Sequence, residues 1–267
     1  VKNIMVLMHD DAGQEARFQA ALDLTRAVEG HLHCVDVAIL PMLVGGFGDA
    51  SGAAVLLEQE TERETVNRER MEARLKAEDL PYDWVEETGF LADRVRSSAA
   101  LADLVVLNRE LDQIKYPDMR DLVGEMLVKT RKSVIAVPQS ARGFNVFGTA
   151  LIAWDGSEQA EAAMQAAVPL LQKAQTVIIG EIADGSVRVP AEQAAEYLSR
   201  HDISCEVRRE PRSGEVPSTV LLTLIRATGA DWLVMGGFGH SRFMESTFGG
   251  VTQRMLEECP VPLFLAH

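Results

Sequence analysis

Five glycines fall within fifteen residues near the end of the chain. They lie in Gly236-Gly237-Phe238-Gly239-His240-Ser241-Arg242 and, after Phe248, in Gly249-Gly250-Val251-Thr252. Glycines between a strand and a helix let backbone N–H groups approach an anion, and the dipole of the following helix favours negative charge there. The chemistry on offer is therefore phosphate binding. His240, Ser241 and Arg242 add side-chain donors. Arg242 is the best charged one, because a guanidinium matches phosphate geometry. The alternative is turn architecture alone, which needs φ > 0 or close helix–strand packing. Five glycines exceed what one turn needs.

Asp155-Gly156-Ser157 is the second candidate, directly after the apolar run Leu151 to Trp154. Asp155 can accept from ribose hydroxyls or cap the next helix. Ser157 is the more natural N-cap, which leaves Asp155 for a ligand. Asp10 follows a similar run, but without a glycine-rich loop nearby a capping or turn role is favoured. Other features carry less chemistry. A second Gly-Gly-Phe-Gly, at Gly45 to Gly48, has no helix directly behind it and is expected to be a mobile loop. His31 and His33 sit two apart on a strand with no third ligand apparent, so no metal is expected there. Cys34, Cys205 and Cys259 are an odd, widely spaced set and suit reduced thiols. Cys259, before Pro260, is expected to be a buried small side chain. Signatures of phosphate-loop ATPases, serine hydrolases and zinc proteases are absent, and nothing pairs a nucleophile with a base. No catalytic residue is assigned.

The elements that must position these residues alternate. Helical spacing marks Gln14 to Val28, Phe90 to Ala100, Asp118 to Thr130, Ser157 to Leu171, Ala191 to His201, Pro217 to Ala227 and Gln253 to Cys259. Short apolar runs mark strands between them, ending with Leu263 to Ala266. Residues 41–54 suit a loose loop. Glu58 to Glu78 suits a long helix whose Glu/Arg pairs, three or four apart, form a solvated face. The order repeats after about 130 residues. Val6 to Asp10 matches Leu151 to Asp155, and Ala102 to Leu107 matches Ala230 to Met235. Two homologous domains are expected, 1–139 and 148–267, joined through Pro138 to Gly148. Alternation predicts an α/β fold with two tandem, doubly wound, parallel five-stranded sheets. Ligands of such sheets bind at the carboxyl ends of the strands, where strand order reverses.

Charge and hydropathy narrow the function. The formal charge is −14, from 26 Lys and Arg against 40 Asp and Glu, and neither half is basic. A nucleic-acid surface is therefore not expected. No apolar run approaches the roughly 20 residues that span a bilayer. The apolar stretch at the N-terminus is too short for a signal peptide, so a cytoplasmic location is expected.

On Asp155-Gly156-Ser157, on Gly236-x2-Gly239-x9-Gly249 and on Cys259-Pro260-Val261-Pro262, the chain resembles the universal stress protein family in its tandem form. The resemblance covers essentially the whole chain. It implies a Rossmann-like sheet of the adenine nucleotide alpha hydrolase type. It also implies a stress-response module that binds ATP or AMP, with Mg²⁺ beside ATP. The glycine loop would hold the phosphates and Asp155 would sit at the adenosine. Two departures stand out. Where the family has Ser or Thr after the third glycine, this chain has Gly250, with Thr252 two residues on. The first half has lost the motif, since Asn108 and Leu111 stand where the second half has Gly236 and Gly239. One nucleotide at most is expected, in the second half. The rival is a structural or protein-interaction role with vestigial sites. A weak ATPase or autophosphorylating activity is a third reading, without a general base to support it. The fifth strands, Val134 to Val137 and Leu263 to Ala266, are expected to be sheet edges that meet between domains. A homodimer is also allowed, and the protein partner is unknown.

Overall fold

The computed structural model describes residues 1–40, 50–109, 119–183, 187–211, 214–238 and 250–267. The first half holds β1 (Asn3–Leu7), α1 (Gln14–Val28), β2 (His31–Ile39), α2 (Ala50–Ala77), β3 (Tyr82–Gly89), α3 (Leu91–Ser98), β4 (Leu104–Asn108), α4 (Met119–Glu125) and β5 (Ser133–Val137). A 3₁₀ turn (Ala99–Leu101) follows α3, and a π-helical turn (Met126–Thr130) extends α4. The second half holds β6 (Thr149–Trp154), α5 (Glu158–Leu171), β7 (Thr176–Ala183), α6 (Ala191–Ser199), β8 (Cys205–Pro211), α7 (Pro217–Thr228), β9 (Trp232–Gly236), α8 (Gly250–Glu258) and β10 (Leu263–Ala266). The expected order of elements is present. The loose loop expected over 41–54 is helical from Ala50, and Gly45 to Gly48 lies outside the described residues.

Among the described residues the strands form one sheet, in the order β3-β2-β1-β4-β5-β10-β9-β6-β7-β8. Each half follows the same doubly wound plan, with its first strand between its second and fourth. Pairs within a half are parallel, and β5 with β10 is antiparallel. The two expected sheets are thus hydrogen-bonded into one. Ile135 faces Phe264, Val134 faces Leu265, and Ala136 faces Leu263. The pairing is reciprocal, because Ser133-Val134-Ile135-Ala136 and Pro262-Leu263-Phe264-Leu265 are the corresponding segments.

Strands buried on both faces need continuous apolar sequence, and β1, β4, β5 and β10 supply it. One apolar cluster lies on the face covered by α1, α2, α5 and α6. The other lies under α3, α4, α7 and α8. Each draws on both halves. The connecting segment is docked rather than loose. Phe144 is buried against Trp232 with ring centroids 5.3 Å apart, and its N–H donates to Asp23. No described helix is long and apolar enough to cross a membrane.

Phe264 is fully buried at the centre of the junction. Truncation there leaves a cavity that neighbouring strands cannot close. Phe264→Ala is expected to lower the unfolding free energy by about 3–5 kcal/mol, read from urea denaturation.

Candidate functional site

In the second half strand order reverses between β6 and β9, which pair directly. The turn after β6 and the turn after β9 therefore flank one crevice. Asp155 is exposed, and its Oδ1 accepts the Ser157 N–H at 2.9 Å. Ser157 Oγ accepts the Ala160 N–H at 3.2 Å, the expected N-cap of α5. Gly156 has φ 67°, and a Cβ there would run into the backbone of Val189. Trp154 Nε1 donates to Val189 O at 2.8 Å, which fixes that wall. At the end of β9, a Cβ on Gly236 would lie 2.6 Å from the Gln159 carbonyl carbon and 2.7 Å from Ala160 N. The strand end abuts the first turn of α5, so glycine is required. The arrangement brings Asp155, Gly156, Ser157 and Gly236 around the amino end of one helix, where backbone N–H groups favour an anion.

Gly237 has a different task. Its N–H donates to Ala266 O at 2.9 Å and its carbonyl meets His267 Nδ1 at 2.9 Å, so the sheet holds it. Phe238 follows with φ 61°, an uncommon conformation for a non-glycine residue. Gly239, His240, Ser241, Arg242 and Gly249 lie outside the described residues. Gly250 opens α8 in an exposed position, where an added Cβ meets open space. Val251 is half-buried and Thr252 is buried.

Residues 147–267 match the model of the universal stress protein family. This half of the chain belongs to the universal stress protein family. Solved structures extend the likeness to the whole length. A universal stress protein from Archaeoglobus fulgidus DSM 4304 is 16% identical with a TM-score of 0.75, over 98% of this chain and 95% of that one. A candidate universal stress protein from Pseudomonas aeruginosa UCBPP-PA14 is 15% identical at 0.59, over 100% and 93%. A functionally unknown protein from Pseudomonas aeruginosa PAO1 is 14% identical at 0.58, over 100% and 92%. At these identities the likeness concerns the fold. No curated protein matches the sequence.

The first half keeps the strand plan of the second but fills its crevice with its own side chains. The strand pairings equate Ile4 with Ala150 and Leu104 with Trp232. Asn108 then replaces Gly236. Its Oδ1 accepts from Arg17, its Nδ2 donates to Val137 O, and its side chain occupies the space beside Gly13. Arg17 is fully buried. It donates to Leu7 O at 2.8 Å and His9 O at 2.7 Å and pairs with Asp11 at 2.7 Å. The same pairings correct the sequence match at Asp10. His9 is the strand counterpart of Asp155. Asp11 makes the equivalent turn, accepting the Gly13 N–H at 2.7 Å. Asp10 pairs instead with Arg70 on α2 at 2.9 Å. The turn after β1 is two residues longer, which an alignment of apolar runs does not reveal.

Helix α2 closes this crevice. Asn67 donates to Met8 O at 2.7 Å, and Glu64 accepts the Asp10 N–H at 3.1 Å. His9 Nδ1 stands 2.8 Å from Glu64. Burial first, and then the charge of Glu64, push the Asp36 carboxyl up to about 9. The solvated face expected for Glu58 to Glu78 is thus partly a buried polar one. The signal lay in the stripe Glu64, Asn67, Met71, Leu75, whose helical spacing runs from polar to apolar. On β2, His31 and His33 both bond Asp83 of β3, at 2.6 and 2.5 Å. Burial raises the thiols of Cys34, Cys205 and Cys259, the last to about 11, so none is poised as a nucleophile.

Two glycines of the second half separate packing from open space. Gly156→Ala is expected to cost at least about 1–3 kcal/mol, from positive φ and the Val189 contact. Gly250→Ala is expected to be neutral or to stabilise by up to about 1 kcal/mol. Paired urea melts check both.

Proposed function

We propose that the chain is a tandem universal stress protein, with units 1–139 and 148–267, that binds one adenine nucleotide in its second half. The reading is supported most by one observation. The Asp155 turn and Gly236 flank the strand-order reversal beside the amino end of α5, whereas Arg17 and Asn108 fill the corresponding place in the first half. In this reading the phosphates lie against the N–H groups at the start of α5 and along Gly239 to Gly249, with Arg242 as the charged donor. Asp155 accepts from the ribose, which its exposure allows. ATP or AMP fits, with Mg²⁺ accompanying ATP. Gly250 supplies no hydroxyl, so affinity is modest. The protein acts as a stress-response binding module and not as a metabolic catalyst. Its three free thiols accord with a reducing, cytoplasmic setting. With β5 and β10 paired inside the chain, a homodimer would use another surface, such as the outer strands β3 and β8.

Calorimetry with ATP and Mg²⁺, and with AMP, tests the proposal. Wild type is expected to bind one nucleotide per chain. Asp155→Ala should weaken binding by about tenfold, the scale of one charge-assisted hydrogen bond. Gly250→Ser should tighten it by up to about tenfold, since its side chain enters open space and restores the hydroxyl. Absence of heat and of any melting shift at millimolar nucleotide would favour the structural role with vestigial sites.

A further inference from the structure

Three donors from three separate elements converge beneath α2. His9 follows β1, Asp36 lies in β2, and Glu64 lies in mid α2; all three are buried. One nitrogen or oxygen of each lies within 4.8 Å of the others. Zn–N and Zn–O bonds of about 2.0–2.2 Å set tetrahedral donor separations of about 3.4 Å, so the donors would draw together on binding. Glu64 is held in place by the Asp10 N–H, Asn67 and Arg63. His9 Nδ1 points at Glu64 and at Val37 O.

Asp36 is the unexplained member. It is 2% exposed, and among the described residues no basic side chain pairs with it; its nearest polar side chain is the carboxyl of Glu64. The charged neighbours that bear on it, Glu64 and Glu86, are both acidic. The second half supplies an internal control. The strand pairings make Glu181 the counterpart of Asp36. Glu181 is also buried, yet it accepts the Ala191 N–H at 2.8 Å and pairs with Arg209 at 3.0 Å. Two carboxyl groups buried side by side, with no basic group against Asp36, are costly to ionise together. A cation between them removes that penalty.

We propose that His9 Nδ1, Asp36 and Glu64 form a buried site for a single divalent transition-metal cation, Zn²⁺ by donor type. Two carboxylates and a neutral imidazole balance a dication. One imidazole with two carboxylates suits Zn²⁺ rather than Ca²⁺, which takes six to eight oxygens. Metal at Nδ1 moves the ring proton to Nε2. Arg63, which stands 3.3 Å from Nε2 and whose side chain is 41% exposed, turns outward to accommodate it. The cation would staple α2 across the ends of β1 and β2. The site is independent of nucleotide binding in the second half.

The test is calorimetry of the chelator-treated full chain with Zn²⁺ and no nucleotide, beside melting curves and the absorption spectrum with Co²⁺. Wild type is expected to bind one equivalent, to melt higher with Zn²⁺, and to show Co²⁺ d–d bands without a thiolate charge-transfer band. Asp36→Asn and Glu64→Gln, both nearly isosteric, should each weaken Zn²⁺ by about 10- to 100-fold or more. A His31→Ala, His33→Ala double variant should leave the tight equivalent unchanged. The proposal fails if wild type shows no saturable Zn²⁺ binding, an outcome that does not depend on how the variants fold. It also fails if Asp36→Asn and Glu64→Gln bind as wild type does, if the His31/His33 variant abolishes binding, or if Co²⁺ reports thiolate ligation.

Discussion

Every polar group buried where strand order reverses needs a partner. That constraint is met differently in the two halves of this chain. In the first, Arg17 reaches back from α1 to the carbonyls of Leu7 and His9 and to Asn108, while Asn67 takes the carbonyl of Met8. The crevice is closed by the protein's own groups. In the second, Gly236 replaces Asn108 and Glu161 stands at the position of Arg17. With no side chain on Gly236, the strand end approaches the amino end of α5 within contact distance. Two residue positions thus separate a crevice filled by side chains from one bordered by glycine backbone.

The antiparallel meeting of β5 and β10 sets where these crevices lie. Strands run one way in the first half and the opposite way in the second, so the two carboxyl rims face opposite ends of one sheet. A two-fold relation perpendicular to the sheet keeps α1 and α5 on one face, as the shared apolar cluster shows. Each half also supports the rim of the other. Leu127, after α4, packs beside Gly237, and Arg109, after β4, donates to the carbonyl of Met255 in α8.

The order of elements and the repeat were legible in the sequence, because parallel strands and amphipathic helices differ strongly in apolar spacing; the meeting of the fifth strands came only from the family resemblance. The turn carrying Asp155 was legible for a similar reason, since Ser157 caps α5 as its type and position predict. Three things were not legible. The counterpart of Asp155 slipped to Asp10, because apolar runs align equally well one residue apart and the turn after β1 carries two extra residues. Gly237 resembled a ligand-facing glycine, although its N–H serves the sheet. The charged α2 resembled a solvated helix, because a sequence does not show that Glu64 and Asn67 reach the turn after β1 from more than fifty residues away. The stripe Glu64, Asn67, Met71, Leu75 marks a buried face, but its spacing does not say what that face meets.

The central claim is the asymmetry: one receptive crevice, in the second half, opposite a plugged one. Photolabelling the intact chain with azido-ATP, followed by peptide mass spectrometry, tests it most directly. The account predicts labelled peptides from the Asp155 turn and the segment after β9, with none from the turn after β1. Labelling near His9 to Gly13, or equal labelling of both halves, would contradict it.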